Sequence, residues 1–352
     1  MARMEGVVEE SFRRGADANV EDLDEELYFS DPFASLASLV DFAPIVSIAT
    51  EQTYASGSKS VQEQLYFAEL LRQSQRSSVL NAVFCSQFSV AIGLIQPALN
   101  AALLAVMKVG RARPLPPRER GVVDRNIRSV LLGSPLDWRR ELSKHFEASV
   151  LASVVDWEEL RRQWSLRNLL VHRGPVVDTQ FRQDCPDGPP LGAPLEMTER
   201  EVLDAFDFAA GTRLAFLVAA CDRVTPTFGQ EFSSSHSPLA VVDLNDRRWW
   251  LAEGTARAAL TFAGTARDRA FAQVNLWLAQ AGRLGLESIQ GEVVAWEVGE
   301  LDPIFGLARL VLLGEYSKAK RSISRLLLAG DIDSEDVETW PLFANMRTEG
   351  LL

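Results

Sequence analysis

DWEELRRQWSLRNLLVHRGP, Asp156 to Pro175, is the stretch on which the fold class turns. Asp156-Trp-Glu-Glu159 has the form of a capping box, in which two side chains satisfy free N–H groups at the start of a helix. Gly174 and Pro175 end that helix, because glycine accepts the left-handed terminal conformation and proline cannot continue the turn. Between these signals Trp157, Leu160, Trp164, Arg167 and Val171 recur at helical spacing and share one face. The stretch predicts a helix with an apolar stripe that contains an arginine. An unpaired charge is costly to desolvate, so Arg167 requires an anionic partner, a water-filled cleft or a subunit interface.

The flanking sequence is helical in the same way. Ser60-Val-Gln-Glu63 and Thr198-Glu-Arg-Glu201 are further capping boxes, and Val202, Phe206, Ala209 and Ala210 continue the second at helical spacing through Leu217. RARPLPPRERG, Arg111 to Gly121, reads as a basic proline-rich loop, and LDWRRELSKHFEASVLASVV, Leu136 to Val155, resumes helical spacing. GPVVDTQFRQDCPDGPPLGAPLE, after the opening helix, reads as a long loop with a short strand at Val176 and Val177.

At 352 residues the chain predicts more than one domain. Residues 1–57 form an acidic arm, residues 58–224 a helical bundle, residues 225–240 a Ser/Pro-rich linker and residues 241–352 a second helical domain. Asp302 to Ile332 reads as helix, tight turn at Gly314, helix. It resembles a tetratricopeptide-type hairpin at Leu313-Gly314, Tyr316 and Ala319, although a single hairpin also suits a plain helical bundle. The fold class expected is all-α.

Charge and composition narrow the function. The net charge of -12 argues against an extended nucleic-acid coat protein, since phosphate binding is driven by Lys and Arg. The sign reverses locally, however: Lys108 to Lys144 is rich in arginine and provides a basic surface inside an acidic protein. Cys85, Cys185 and Cys221 are odd in number and include no C-x-x-C pair, which suggests neither a disulfide framework nor a zinc site. The opening MARMEGVVEE lacks the pattern of a cleaved leader, so a cytoplasmic protein is expected. The uncharged run between Arg76 and Lys108 is long enough to cross a bilayer. Its polar residues, including Asn81, Gln87, Gln96 and Asn100, favour instead a buried core helix, kinked or broken at Pro97. No membrane association is expected.

Arg167, Asn168 and His172 are the candidate chemistry. Asn168 and His172 are four residues apart, where an amide can fix an imidazole's tautomer. Imidazole titrates near neutrality, as general acid–base catalysis requires. Arginine is frequent enough here that an arginine five residues before a histidine is close to a chance match, and Arg140-Glu-Leu-Ser-Lys-His145 is a second instance. Context separates the two. The first has an amide after the arginine, three aliphatic residues, and a histidine at a helix end; the second has a glutamate after its arginine and lies in a highly charged stretch.

W-x-x-R-N-L-L-V-H-R-G, Trp164 to Gly174, closely resembles the signature of the HEPN superfamily, all-helical domains found in toxin–antitoxin, abortive-infection and CRISPR-linked systems. The resemblance spans roughly Ser60 to Arg223, and outside the motif it rests on helical order and lengths. It implies a HEPN-like bundle, followed here by a second helical domain, acting as a metal-independent endoribonuclease without a cofactor. Arg167, Asn168 and His172 would be its catalytic residues. It further implies a homodimer with RNA as substrate, a toxin or antiviral effector role, and an antitoxin or sensor as partner. Arg139, Arg140, Lys144 and His145 read first as a solvated basic helix face and, as the alternative, as a surface that contacts RNA phosphates; Arg173 is a further candidate RNA contact. Two other readings stay open: a non-catalytic helical scaffold that dimerises or binds nucleotide, and a regulator that binds nucleic acid through Lys108 to Lys144.

Overall fold

In a computed structural model, residues 77–108, 117–225 and 227–352 are described. The acidic arm, the Ser60–Glu63 box and residues 109–116 lie outside them. The described residues are all-α, with helices joined by turns and two short 3₁₀ segments, and no strand among them.

The first helices are α1 (Ser77–Gly93) and α2 (Ile95–Lys108). Asn81–Met107 is long and apolar enough to cross a membrane by length and composition. Its polar groups are spent within the protein. The Asn81 side chain donates to the Leu195 carbonyl and accepts from the Met197 N–H, each at 2.8 Å, and Gln96 donates to the Leu131 carbonyl at 2.7 Å. Phe88, Ile92, Ile95, Leu99 and Leu103 are buried. The break expected at Pro97 falls at Leu94 instead. Pro97 lies in the first turn of α2, where a backbone N–H has no intrahelical partner to lose.

Part of the expected basic loop is also helical. Pro117 opens α3 (Pro117–Leu131), a position that suits its fixed φ. Leu136 to Val155 folds as two helices, α4 (Pro135–Leu142) and α5 (Ala148–Val154), with Ser134 and Asp137 making a complete capping box at the first. The opening stretch is α6 (Trp157–His172). Asp156 accepts from the Glu159 N–H as expected, but the Glu159 carboxylate turns to Arg162 and Gln163, so only half of the box forms.

Beyond Pro175 no strand forms. Val176 and Pro194 make one isolated bridge, and a short helix α7 (Thr179–Asp184) interrupts the expected loop, capped by Asp178 and anchored by buried Phe181. The Thr198–Glu201 box is complete and starts α8 (Glu199–Val224). This helix is buried on most sides, packing on α1 and α2 and, through Gly211, on a later helix α10 (Trp249–Thr261). A Cβ on Gly254 of α10 would lie 2.6 Å from the Gly211 Cα, so each helix needs glycine where the two backbones meet.

Most of the residues expected as a linker belong to helix α9 (Phe228–Asn245), which packs on α10 and on α11 (Ala266–Leu284). Burial of Phe232, Ala240 and Leu244 overrides the turn-forming composition. The chain continues through α12 (Gln290–Ala295) and the expected hairpin of α13 (Pro303–Leu312) and α14 (Tyr316–Ala329), turning at Gly314 with φ of 71°. It closes with α15 (Ser334–Thr339) and α16 (Ala344–Thr348). Trp277, Phe305, Val311, Ile323 and Phe343 form the core of this last region.

Candidate functional site

The apolar stripe of α6 is anchored by Trp157, Leu160 and Trp164, all buried. Trp164 meets Trp138 of α4 edge to face, with centroids 4.6 Å apart, which seats α4 against α6. Beyond Trp164 the stripe opens. Arg167 is half-buried with its guanidinium over the Trp164 ring, 5.0 Å from the centroid, while Val171 is 47% exposed and His172 is exposed. The opposite side of the helix end is closed by Leu169, packed with Val177, Phe181 and Leu195.

Arg167 is incompletely satisfied. Its Nη1 donates to Asn168 Oδ1 at 2.9 Å, and its Nε is buried without a hydrogen-bond partner among the described residues. Burial pushes its pKa below the ordinary arginine value. Among the described residues no carboxylate pairs with it. The expected contact of Asn168 with His172 is not formed: the Asn168 oxygen is used by Arg167, and His172 makes no side-chain hydrogen bond or ion pair among the described residues. The reason is rotational. The Asn168 amide swings toward its neighbour because a guanidinium beside an indole offers a charge-assisted donor.

The catalytic candidates therefore share one helix end without converging. Arg167 and His172, five residues apart, point roughly 140° apart on an ideal helix, and the first lies against Trp164 while the second faces outward.

The residues expected to contact RNA divide between two places. Arg139, Arg140, Lys144 and His145 lie on or just after α4, and Arg173 caps α6. Three of them are already paired: Arg140 with Asp137 at 2.6 Å, Lys144 with Glu141, and Arg173 with Asp178 at 2.7 Å. His145 is half-buried, which lowers its pKa, while Glu141 beside it acts in the opposite sense. Its carbonyl accepts from Arg223 of α8 at 3.3 Å, so it is partly a packing residue. Arg139 is exposed and has no carboxylate partner among the described residues.

Asp178 is a participant that helical periodicity did not reveal. It caps α7 and holds Arg173 through two contacts, but it is separated from Arg173 by the Gly174–Pro175 turn, across which spacing carries no facial information. Trp138 is another, since its role in supporting Trp164 depends on a contact between helices. Among the described residues no group of three or more His, Cys, Asp or Glu side chains is arranged to hold a metal ion.

No known protein-family model matches the chain, and no curated protein or solved structure matches it at a significant level.

Proposed function

We propose that the protein is a HEPN-type, metal-independent endoribonuclease that acts as a homodimer. The observation that carries this reading is the half-buried Arg167, held by Asn168 and Trp164 without a carboxylate partner among the described residues, on the helix that ends in exposed His172. A guanidinium desolvated in this way favours an anion such as a phosphate. Exposed Val171 next to His172 gives the same surface an apolar element suited to a two-fold contact.

In the proposed reaction the RNA 2′-hydroxyl attacks the adjacent phosphorus, forming the P–O2′ bond while the P–O5′ bond breaks. His172 accepts the 2′-hydroxyl proton and His172 of the partner subunit gives a proton to the departing 5′-oxygen. Arg167 stabilises the charge on the pentacoordinate phosphate. The products are a 2′,3′-cyclic phosphate and a 5′-hydroxyl. A cytoplasmic toxin or antiviral effector role, controlled by an antitoxin or sensor, is part of the same reading.

The test is RNA cleavage by the purified full chain in the presence of a chelator. Cyclic phosphate ends from the wild type, and their loss in His172→Ala with an unchanged melting temperature, are expected. Cleavage retained by that variant would remove this active site. The ion pairs at Arg140, Lys144 and Arg173 favour a second reading, a helical scaffold whose basic residues are structural. Surface pairs of this kind contribute little to stability, however, because solvent and salt screen them, so they leave the basic groups open to a competing phosphate. Under the scaffold reading the wild type cuts nothing, and Arg167→Ala disrupts folding or dimerisation.

A further inference from the structure

A concave site lies further along the chain, away from the α6 residues. A cleft of about 540 Å³ is bounded by α11, α12 and the segment leading to α13. That volume falls within the range of small-molecule sites, about 300–1,000 Å³. Three of its residues, Arg269, Gln273 and Trp277, follow one another at four-residue spacing and so stand in line along one face of α11. They present a guanidinium, an amide and an indole in that order.

Glu292 stands at the indole end. Its Oε2 accepts from Trp277 Nε1 at 2.8 Å, which orients the carboxylate and satisfies the polar atom of a tryptophan that is only 3% exposed. The second oxygen of Glu292 has no hydrogen bond among the described residues. Trp296 meets Trp277 at 75° with centroids 5.1 Å apart, completing an apolar wall. That wall is braced from behind, because Arg309 donates to the Val293 and Val294 carbonyls just before Trp296. At the other end, Arg269 donates to the Ala263 carbonyl at 3.5 Å and has no carboxylate partner among the described residues.

The cleft is thus positive at one end, negative at the other, apolar along its wall, and has an amide midway. The eight helical steps from Arg269 to Trp277 rise roughly 12 Å, which sets the scale of the separation. A free amino acid is too short to meet both charges. A peptide of three residues spans about 10 Å when extended and carries an ammonium, a carboxylate and peptide groups between them. We propose that the Arg269–Gln273–Trp277–Glu292 cleft binds a short zwitterionic peptide of about three residues with an apolar side chain. Its C-terminal carboxylate meets Arg269, its ammonium meets Glu292, Gln273 hydrogen-bonds a peptide group, and Trp277 and Trp296 take the apolar side chain. This site is separate from the α6 site in residues and in chemistry.

Calorimetric titration of the full chain with Ala-Phe-Ala tests the proposal. Saturable binding at one site per chain is expected, weakened about tenfold or more by N-acetylation or by C-terminal amidation, and likewise with free phenylalanine. Glu292→Gln retains an oxygen for Trp277 and should abolish the sensitivity to acetylation; Arg269→Gln should abolish the sensitivity to amidation. Absence of saturable binding at millimolar peptide would overturn the proposal. So would equal binding of the free and capped peptides, or charge sensitivity that neither substitution removes.

Discussion

Arg167 Nη1 donates to the side-chain oxygen of Asn168, its immediate neighbour in the chain, at 2.9 Å. Adjacent residues on a helix do not normally face each other, so this contact forms because the guanidinium lies back over Trp164 and presents its edge to the amide. Asn168 therefore positions the arginine rather than the histidine. Asn168→Ala should lower stability by only about 1 kcal/mol, the worth of one part-buried hydrogen bond. Under the ribonuclease proposal it should reduce cleavage severalfold or more by freeing Arg167. Thermal melts and cleavage rates measured on the same preparation separate the two effects, and unchanged cleavage would make Asn168 purely structural. Arg167→Lys should fare no better than Asn168→Ala in cleavage, because an ammonium cannot both stack on the indole and fork toward a phosphate.

The meeting of Gly211 and Gly254 gives a sharper stability prediction. Gly254→Ala would drive a methyl group into the α8 backbone, at 2.6 Å from the Gly211 Cα and 2.9 Å from its carbonyl carbon, with no flexible side chain to yield. A loss of about 1–3 kcal/mol or more is expected from such overpacking. Gly306, inside α13, has nothing within 4 Å of the position its Cβ would take. There the helix propensity of alanine should dominate and Gly306→Ala should stabilise by about 0.5–1 kcal/mol. Urea denaturation of the two variants should move the midpoint in opposite directions.

What could be read from the sequence was what depends on neighbours in the chain. The starts of α6 and α8 followed from Asp156 and Thr198, and the turn at Gly314 from a glycine between two periodic runs. What could not be read depends on contacts distant in sequence. The residues from Phe228 to Pro238 look like a boundary until α10 and α11 are present to cover α9. The stripe through Trp157, Leu160 and Trp164 identifies a buried face, but periodicity does not say where the covering helix ends, so the exposure of Val171 was not legible. Nor was the pairing of Asn168 with Arg167 rather than His172, which is a matter of rotamers.

Glu253 illustrates the charged interior of the α10–α11 contact. It is 2% exposed and accepts from Arg257 at 2.7 Å and from Arg283 at 3.0 Å, while Arg283 also lies over the Trp250 ring, 3.7 Å from its centroid. Glu253→Gln keeps the shape but leaves two guanidinium groups facing a neutral amide. A loss of about 1.5–3 kcal/mol is expected, that of hydrogen bonds to a charged group, because both arginines keep some solvent and Arg257 keeps Asp156 at 3.9 Å. Replacing Arg257 alone should cost less, because Arg283 still neutralises the carboxylate. Equal losses in the two variants would show that packing, rather than charge, dominates the site.

Asp243 makes stability depend on pH. Arg248 bridges two buried carboxylates, reaching Asp207 at 3.2 Å and Asp243 at 3.3 Å. Burial pushes the Asp243 pKa up to about 7, Arg248 pulling it down and Asp207 and Asp246 adding to the rise. Asp207 is likewise raised, first by burial, with Arg248 lowering it, Asp204 raising it and Arg200 lowering it. In the unfolded chain an aspartate titrates near 3.9, so between about pH 4 and about pH 7 the folded chain retains a proton on Asp243 that the unfolded chain has released. Stability should therefore fall as pH rises through that window, by up to ~1.4 kcal/mol per pH unit, and level off above it. Asp243→Asn, which keeps an oxygen for Arg248, should remove this component. Its stability relative to the wild type should improve between about pH 5 and about pH 8 in chemical denaturation. A difference between the two proteins that stays constant across that range would mean that Asp243 ionises as an ordinary carboxylate despite its burial.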